Sequence, residues 1–106
     1  MPNFVIMEML TSHIKEIKEI CKKNDVKSLF AFGSIVKNNL SYQSDIDLVV
    51  EIDNHDPITY SDYYFNIKFA LEQLLQRPID LLEQKAINNP LLKSQIELTK
   101  VLVYGI

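Results

Sequence analysis

The hydrophobic and polar positions of the chain follow two periods, which together predict alternating helices and strands. Near the N-terminus, apolar residues recur in steps of three and four, at Met7, Leu10, Ile14, Ile17 and Cys21. That spacing is typical of one face of a single amphipathic helix, whose other faces are charged here. The polar pair that follows, Asn24-Asp25, provides a stop signal, so we expect the helix to end there.

Four short apolar runs bounded by polar or turn residues predict strands. They span residues 26–33, 45–51, 78–83 and 101–104. In the second run Ile46, Leu48 and Val50 share one face, since alternate residues of a strand point the same way. The acidic residues of that run, together with Val49, fall on the opposite face.

The segments between these strands predict three further helices. Residues 34–40 fit a short helix, and residues 86–99 fit another with a break at Asn89-Pro90. The long central helix follows Thr59-Tyr60-Ser61-Asp62, which matches a capping box, and Arg77-Pro78 ends it. The order predicts an α+β fold in which helices stack on one small mixed sheet, with residues 1–106 as a single domain.

Composition removes several classes of function. With 11 Lys plus Arg against 14 Asp plus Glu, the net charge is −3, and no basic face is expected for a long nucleic acid. Cys21 is the single cysteine, which excludes an internal disulfide and a cysteine zinc cage. No apolar run approaches the ~20 residues of a membrane-spanning helix, so we expect no membrane association and a cytoplasmic location.

Gly33-Ser34 is the first candidate for chemistry, because it lies where the first strand turns into the short helix. Backbone N–H groups and a hydroxyl at a helix N-terminus favour anions such as a triphosphate. Glycine also lets the backbone approach a ligand closely. A plain turn in which Ser34 caps the helix is the structural alternative.

Asp45 and Asp47 are stronger candidates because they are two residues apart on a predicted strand and share a face. At about 4 Å their repulsion would be on the order of 4 kcal/mol at an effective dielectric of 20. A cation would offset that repulsion, and Mg²⁺ is commonly held by a few carboxylates together with substrate phosphates. The alternative is a turn-capping Asp45 beside an exposed Asp47.

Asp80 is the third candidate carboxylate, flanked by apolar residues in the strand 78–83. A carboxylate buried there is costly unless it is paired or coordinated. If this strand neighbours that of Asp47, three carboxylates converge. They could then hold two Mg²⁺ ions roughly 3.5–4 Å apart, as in other two-metal sites. A solvated Asp80 at a strand end is the alternative.

Together these motifs resemble one family. Gly33-Ser34, ten further residues and Asp45-Ile46-Asp47 match the GSx10DxD pattern of the minimal nucleotidyltransferases, the MNT branch of the DNA polymerase β superfamily. The resemblance covers nearly the whole chain, including Asn89-Pro90 and Val103-Tyr104 in its tail. It implies a polymerase β-like nucleotidyltransferase fold, two Mg²⁺ ions, ATP as substrate and transfer of AMP to an acceptor hydroxyl.

The resemblance also implies a role for each motif residue. Gly33 and Ser34 would hold the triphosphate, and Asp45 and Asp47 would bind both metal ions. Asp80 would bind the catalytic ion and would orient or deprotonate the acceptor hydroxyl.

Lys37-Asn38 departs from the family, whose members often carry Arg-Gly at these positions. Lys37 would offer phosphate a point charge in place of a bidentate fork. A solvated helix lysine is the alternative for Lys37.

A protein partner is a further implication of the resemblance, because many members act as antitoxins of HEPN-domain RNase toxins by placing AMP on a toxin tyrosine. Two alternatives stay open: an idle antitoxin that neutralises by binding, and a nucleotidyltransferase acting on a small molecule. Phe65 and Phe69 form a second apolar line on the central helix, which suits either a partner surface or core packing.

Overall fold

A four-stranded mixed sheet forms the centre of the computed structural model, which describes residues 3–32 and 46–105. The strands are β1 (Val26–Ala31), β2 (Ile46–Ile52), β3 (Ile79–Glu83) and β4 (Val101–Tyr104). Their order across the sheet is β3-β2-β1-β4; β2 and β3 run parallel, and the other neighbours are antiparallel. The prediction of helices stacked on a small mixed sheet is confirmed.

The described helices are α1 (Asn3–Ser12), α2 (Ile14–Lys23), α3 (Pro57–Leu75) and α4 (Pro90–Thr99), with a short 3₁₀ turn at Gln84–Ala86. Throughout residues 3–32 and 46–105, every helix is too short or too polar to span a bilayer. The predicted short helix at 34–40 lies outside the described residues.

The N-terminal helix is the first correction, because the single helix predicted through Met7 and Cys21 is two helices that meet at His13. His13 has φ −108° and ψ 18°, outside the helical region. Ser12 Oγ and His13 Nδ1 lie 3.0 and 2.9 Å from the carbonyl oxygen of Met9. Side chains that bond a nearby backbone carbonyl compete with the helix ladder. Here they share the Met9 carbonyl with the backbone N–H of His13, which donates to it at 3.3 Å.

The start of α3 is the second correction, since the capping box predicted at Thr59 is wrong. The N-cap is Asp56, whose carboxylate accepts from the Thr59 amide at 2.9 Å and the Thr59 hydroxyl at 2.7 Å. These two hydrogen bonds hold the pKa of Asp56 below its usual value. Pro57 occupies the first helical turn, where its missing N–H costs nothing.

The core is divided between the two faces of the sheet. The larger part lies under α2 and α3 and includes Ile17, Leu29, Ile46, Leu48, Val50, Ile67 and Leu71. The smaller part joins Phe32, Val49 and Ile96 on the α4 side. The alternation of the sequence places Val49 on the same face as the acidic residues. It is nevertheless buried, because α4 packs over that face of β2.

The C-terminus of α3 offers a stabilising substitution, because Gln76 is held at φ 55° and ψ 41° in the left-handed region. That conformation costs a residue with a Cβ about 1–2 kcal/mol, whereas glycine adopts it freely. We expect Gln76→Gly to raise the free energy of unfolding by about 0.5–1 kcal/mol and the melting temperature by a few degrees. Thermal unfolding checks this, with Gln76→Ala as the matched control, which keeps the Cβ and should gain nothing.

Candidate functional site

Asp47 and Asp80 are brought together by the register of the only parallel strand pair among the described strands. Asp47 on β2 is the Cα partner of Asp80 on β3. Parallel neighbours in register point to the same face and lie about 4.8 Å apart across the sheet. Phe32 N donates to Asp47 O at 3.1 Å, and Ile46 N donates to Pro78 O at 3.0 Å. Backbone hydrogen bonds therefore tie the start of β2 to Phe32 on one side and to Pro78 on the other, next to this carboxylate pair.

The surroundings of the two carboxylates differ. Asp47 is half-buried and Asp80 is exposed. The next pair on the same face, Val49 with Leu82, packs in the apolar cluster with Ile96 of α4. The carboxylates thus lie just beyond that apolar cluster, with Asp80 open to solvent.

The other predicted site residues, Gly33, Ser34, Lys37 and Asp45, lie outside the described residues. The triphosphate-binding role of Gly33, Ser34 and Lys37 and the metal-binding role of Asp45 therefore remain predictions. Within residues 3–32 and 46–105, no group of three or more His, Cys, Asp or Glu side chains is placed to hold a metal ion. Phe32, the residue before Gly33, is hydrogen-bonded to Asp47, and Ile46 follows Asp45 directly.

A groove of about 500 Å³ opens beside Asp80, between β3 and the start of α4. Its lining includes Tyr64, Leu82, Glu83, Ile87, Asn88 and Leu92. The walls are largely apolar, and a carboxylate lies at one edge. Such a groove can hold a neutral side chain with an apolar body and a polar tip. The sequence offered no signal for it beyond the helix break at Asn89-Pro90.

Three side chains of α3 bond the outer edge of β3, and we call them the β3 clasp: Tyr64, Lys68 and Glu72. The Tyr64 hydroxyl donates to Leu81 O at 2.6 Å. Lys68 Nζ donates to Ile79 O at 2.9 Å and to Glu72 Oε2 at 2.8 Å. Glu72 Oε2 also accepts from Ile79 N at 3.0 Å. Sequence reasoning missed these residues.

Glu72 should make the fold sensitive to acid. Hydrogen bonds from the Ile79 amide and then from Lys68 hold the pKa of Glu72 below its usual 4.5. A carboxyl whose pKa is lowered by folding adds stability above its unfolded pKa and loses it as pH falls through the folded pKa. We therefore expect the free energy of unfolding of Glu72→Gln to fall less than that of wild type as the pH is lowered from 5 to below 4.

Urea unfolding at pH 7, 5 and 3.5 measures this difference. Glu97→Gln is the matched control, because it breaks the Lys100–Glu97 ion pair of 3.1 Å, which lies away from β3. Parallel stability curves for wild type and Glu72→Gln would contradict the prediction.

Asp47 and Asp80 are thus aligned on the two parallel strands of a four-stranded mixed sheet. Comparison with known proteins gives the family itself. The family described as "Nucleotidyltransferase domain" matches residues 14–103. The chain belongs to this family and is a nucleotidyltransferase.

Named relatives agree with this assignment. Two proteins of Methanocaldococcus jannaschii, each carrying the name "putative protein adenylyltransferase", are 38% identical over 92 residues. The matches span 87% of this chain and 88% of each relative.

Solved structures share the fold. One described as a "putative minimal nucleotidyltransferase" superposes with a TM-score of 0.72 at 22% identity, covering 89% of this chain and 92% of that one. An MNT antitoxin in complex with a tri-AMPylated HEPN toxin of Shewanella oneidensis superposes with a TM-score of 0.61 at 19% identity, covering 92% of this chain and 73% of that one. A toxin–antitoxin structure with AMP-PNP superposes with a TM-score of 0.66 at 20% identity, covering 88% of this chain and 73% of that one.

Proposed function

We propose that this chain transfers AMP from Mg·ATP to a tyrosine hydroxyl of a HEPN-domain toxin and thereby acts as its antitoxin. The observation that carries the proposal is the alignment of Asp47 with Asp80 on one face of the sheet, beside an open groove. The names of the relatives support protein adenylylation as the reaction. The HEPN partner is suggested by the toxin complexes among the structures of the same fold.

The donor set fits Mg²⁺. Asp47 and Asp80 offer carboxylate oxygens on adjacent strands, one half-buried and one exposed, and Asp45 precedes β2 by one residue. A hard cation takes oxygen ligands of this kind and leaves positions for phosphates and water. When bound, two Mg²⁺ ions would neutralise charge on the triphosphate and on the leaving pyrophosphate. In this proposal Asp45 and Asp47 hold both ions and Asp80 holds one.

The transfer is a displacement at the α-phosphorus. The acceptor hydroxyl oxygen forms a bond to that phosphorus, and the bond to the bridging oxygen of the β-phosphate breaks. Pyrophosphate leaves with the electron pair, and Asp80 accepts the hydroxyl proton or passes it to water. Gly33, Ser34 and Lys37 hold the triphosphate. Positioning and charge neutralisation, rather than covalent work by the protein, supply the rate.

A protein acceptor suits the surface around the site better than a small molecule. The groove beside Asp80 has the volume and the apolar lining to take a phenol ring. On α3, Phe65 and Phe69 stack at 5.9 Å while 48% and 58% exposed. Tyr64, which lines the groove, contacts Phe65 edge-on at 5.1 Å. Exposed aromatic surface that continues to the groove favours a macromolecular partner.

Intact-mass spectrometry tests the proposal. The chain is produced with the product of its neighbouring gene and incubated with ATP and Mg²⁺. We expect the partner to gain one or more adenylate groups, and Asp47→Ala to abolish the gain. Peptide mapping then locates the modified side chain. A stable complex that gains no mass and is indifferent to Asp47→Ala would instead identify an antitoxin that acts by binding alone.

A further inference from the structure

We infer that the β3 clasp holds Asp80 in line with Asp47, so that Tyr64, Lys68 and Glu72 are positioning residues for nucleotidyl transfer. The inference rests on the proposed function in giving Asp80 a role at the metal. It adds residues on α3, whose hydrogen bonds to β3 go to backbone groups of Ile79 and Leu81 rather than to Asp80 itself.

The need for a clasp follows from where β3 lies. β2 is an inner strand, held by β1 on one side and by β3 on the other, so Asp47 sits on a backbone that is bonded along both edges. Among the described strands, β3 is at the edge of the sheet and has one strand neighbour. Asp80 is exposed, so packing of its own side chain does little to fix it. Its position depends on the backbone that carries it.

The clasp bonds that backbone on both sides of Asp80. Because Ile46 N donates to Pro78 O, the N–H and carbonyl of Ile79 point away from β2. Glu72 accepts from this N–H, and Lys68 donates to this carbonyl. One residue beyond Asp80, the carbonyl of Leu81 accepts from Tyr64. A shift of β3 along its axis would break these bonds together.

The charges of the clasp suit a rigid brace. Lys68 and Glu72 form an ion pair of 2.8 Å, four residues apart on one helix. Glu72 raises the pKa of Lys68, and Lys68 helps to lower the pKa of Glu72, so both are charged at neutral pH. Burial, followed by the charge of Glu83, raises the pKa of Tyr64, which keeps its hydroxyl protonated as a donor.

Two conservative variants test the clasp in the full-length chain. Tyr64→Phe removes one donor and keeps the ring, and Glu72→Gln keeps an acceptor oxygen and removes the charge. Tyr63→Phe and Glu97→Gln are the matched controls, since one removes a hydroxyl from the same helix and the other breaks an ion pair on α4. Lys68→Arg retains a cationic donor and should behave almost as wild type, whereas Lys68→Met should not.

Two readouts separate positioning from general stability. The first is the dissociation constant for Mn²⁺, measured by electron paramagnetic resonance of the free ion without nucleotide. The second is the kcat for AMP transfer against the KM for ATP. Outer-shell residues, which orient metal ligands without binding the metal, typically contribute tenfold to a hundredfold in metal affinity or activity. We expect Tyr64→Phe and Glu72→Gln to weaken Mn²⁺ binding about tenfold and to lower kcat, with KM for ATP little changed.

The outcomes distinguish the two proposals. If wild type binds Mn²⁺ in an Asp80-dependent manner and the clasp variants weaken it, the clasp stands even if no AMP is transferred. Folded clasp variants with wild-type Mn²⁺ affinity and kcat would overturn it. So would equal losses in the Tyr63→Phe and Glu97→Gln controls, or a wild type whose Mn²⁺ binding is indifferent to Asp80→Asn.

Discussion

Asp47→Asn and Asp80→Asn are each expected to reduce AMP transfer by at least about a thousandfold while the protein remains folded. Both substitutions keep the shape of the side chain and remove the charge that would hold a divalent cation. Metal-assisted charge stabilisation is worth several kcal/mol, and each 1.36 kcal/mol is a factor of ten in rate. The initial rate of adenylate incorporation into the partner, followed by intact mass, measures the loss.

Folding and specificity need their own controls in this experiment. Circular dichroism and the melting temperature confirm that each variant is folded, and Asp62→Asn removes an exposed carboxylate on α3 outside the site. Asp62→Asn should transfer AMP at close to the wild-type rate. If Asp80→Asn kept more than a tenth of wild-type activity, the role assigned to Asp80 would be wrong.

Mn²⁺ should stabilise wild type strongly and leave Asp80→Asn unaffected. A ligand that binds only the folded state at a hundred times its dissociation constant adds about 2.7 kcal/mol. For a domain of this size, that corresponds to a rise of roughly 10 °C or more in the melting temperature. Without metal, Asp80→Asn should melt at or above the wild-type temperature, because it removes a like charge from beside Asp47.

Differential scanning calorimetry with and without Mn²⁺ gives all four melting temperatures. Ca²⁺ at the same concentration helps to separate site binding from a general effect of divalent ions, because Ca²⁺ prefers more ligands at longer distances. An equal Mn²⁺ response in wild type and Asp80→Asn would refute a metal site that contains this carboxylate.

The strands were predictable because each is an apolar run between turn residues, and β4 matches its predicted span of 101–104. The helix boundaries were less so. The break at His13 coincides with side-chain bonds to the Met9 carbonyl, which the apolar spacing does not reveal. At α3, the capping-box pattern pointed to Thr59, whereas the helix begins after Asp56, whose side chain accepts from the Thr59 amide.

The site was predictable in part. The apolar flanks of Asp80 mark it in the sequence as a candidate, and the three-carboxylate hypothesis requires its strand to neighbour that of Asp47, as it does in the structure. The one-to-one register depends on how two distant segments pair, which one sequence does not specify. The clasp was missed for a related reason. The four-residue spacing of Lys68 and Glu72 indicates at most a helical ion pair, because it does not show that β3 lies beside them.

The partly bonded outer edge of β3 also bears on how the protein behaves when concentrated. A strand at the margin of a sheet offers bare backbone groups to any other extended chain and so invites polymerisation. On β3, both backbone groups of Ile79 and the carbonyl of Leu81 are already bonded by α3. The same side chains that steady Asp80 thus leave an incoming strand few partners. Weakening them should cost solubility as well as catalysis, and light scattering of Glu72→Gln at rising concentration would reveal it.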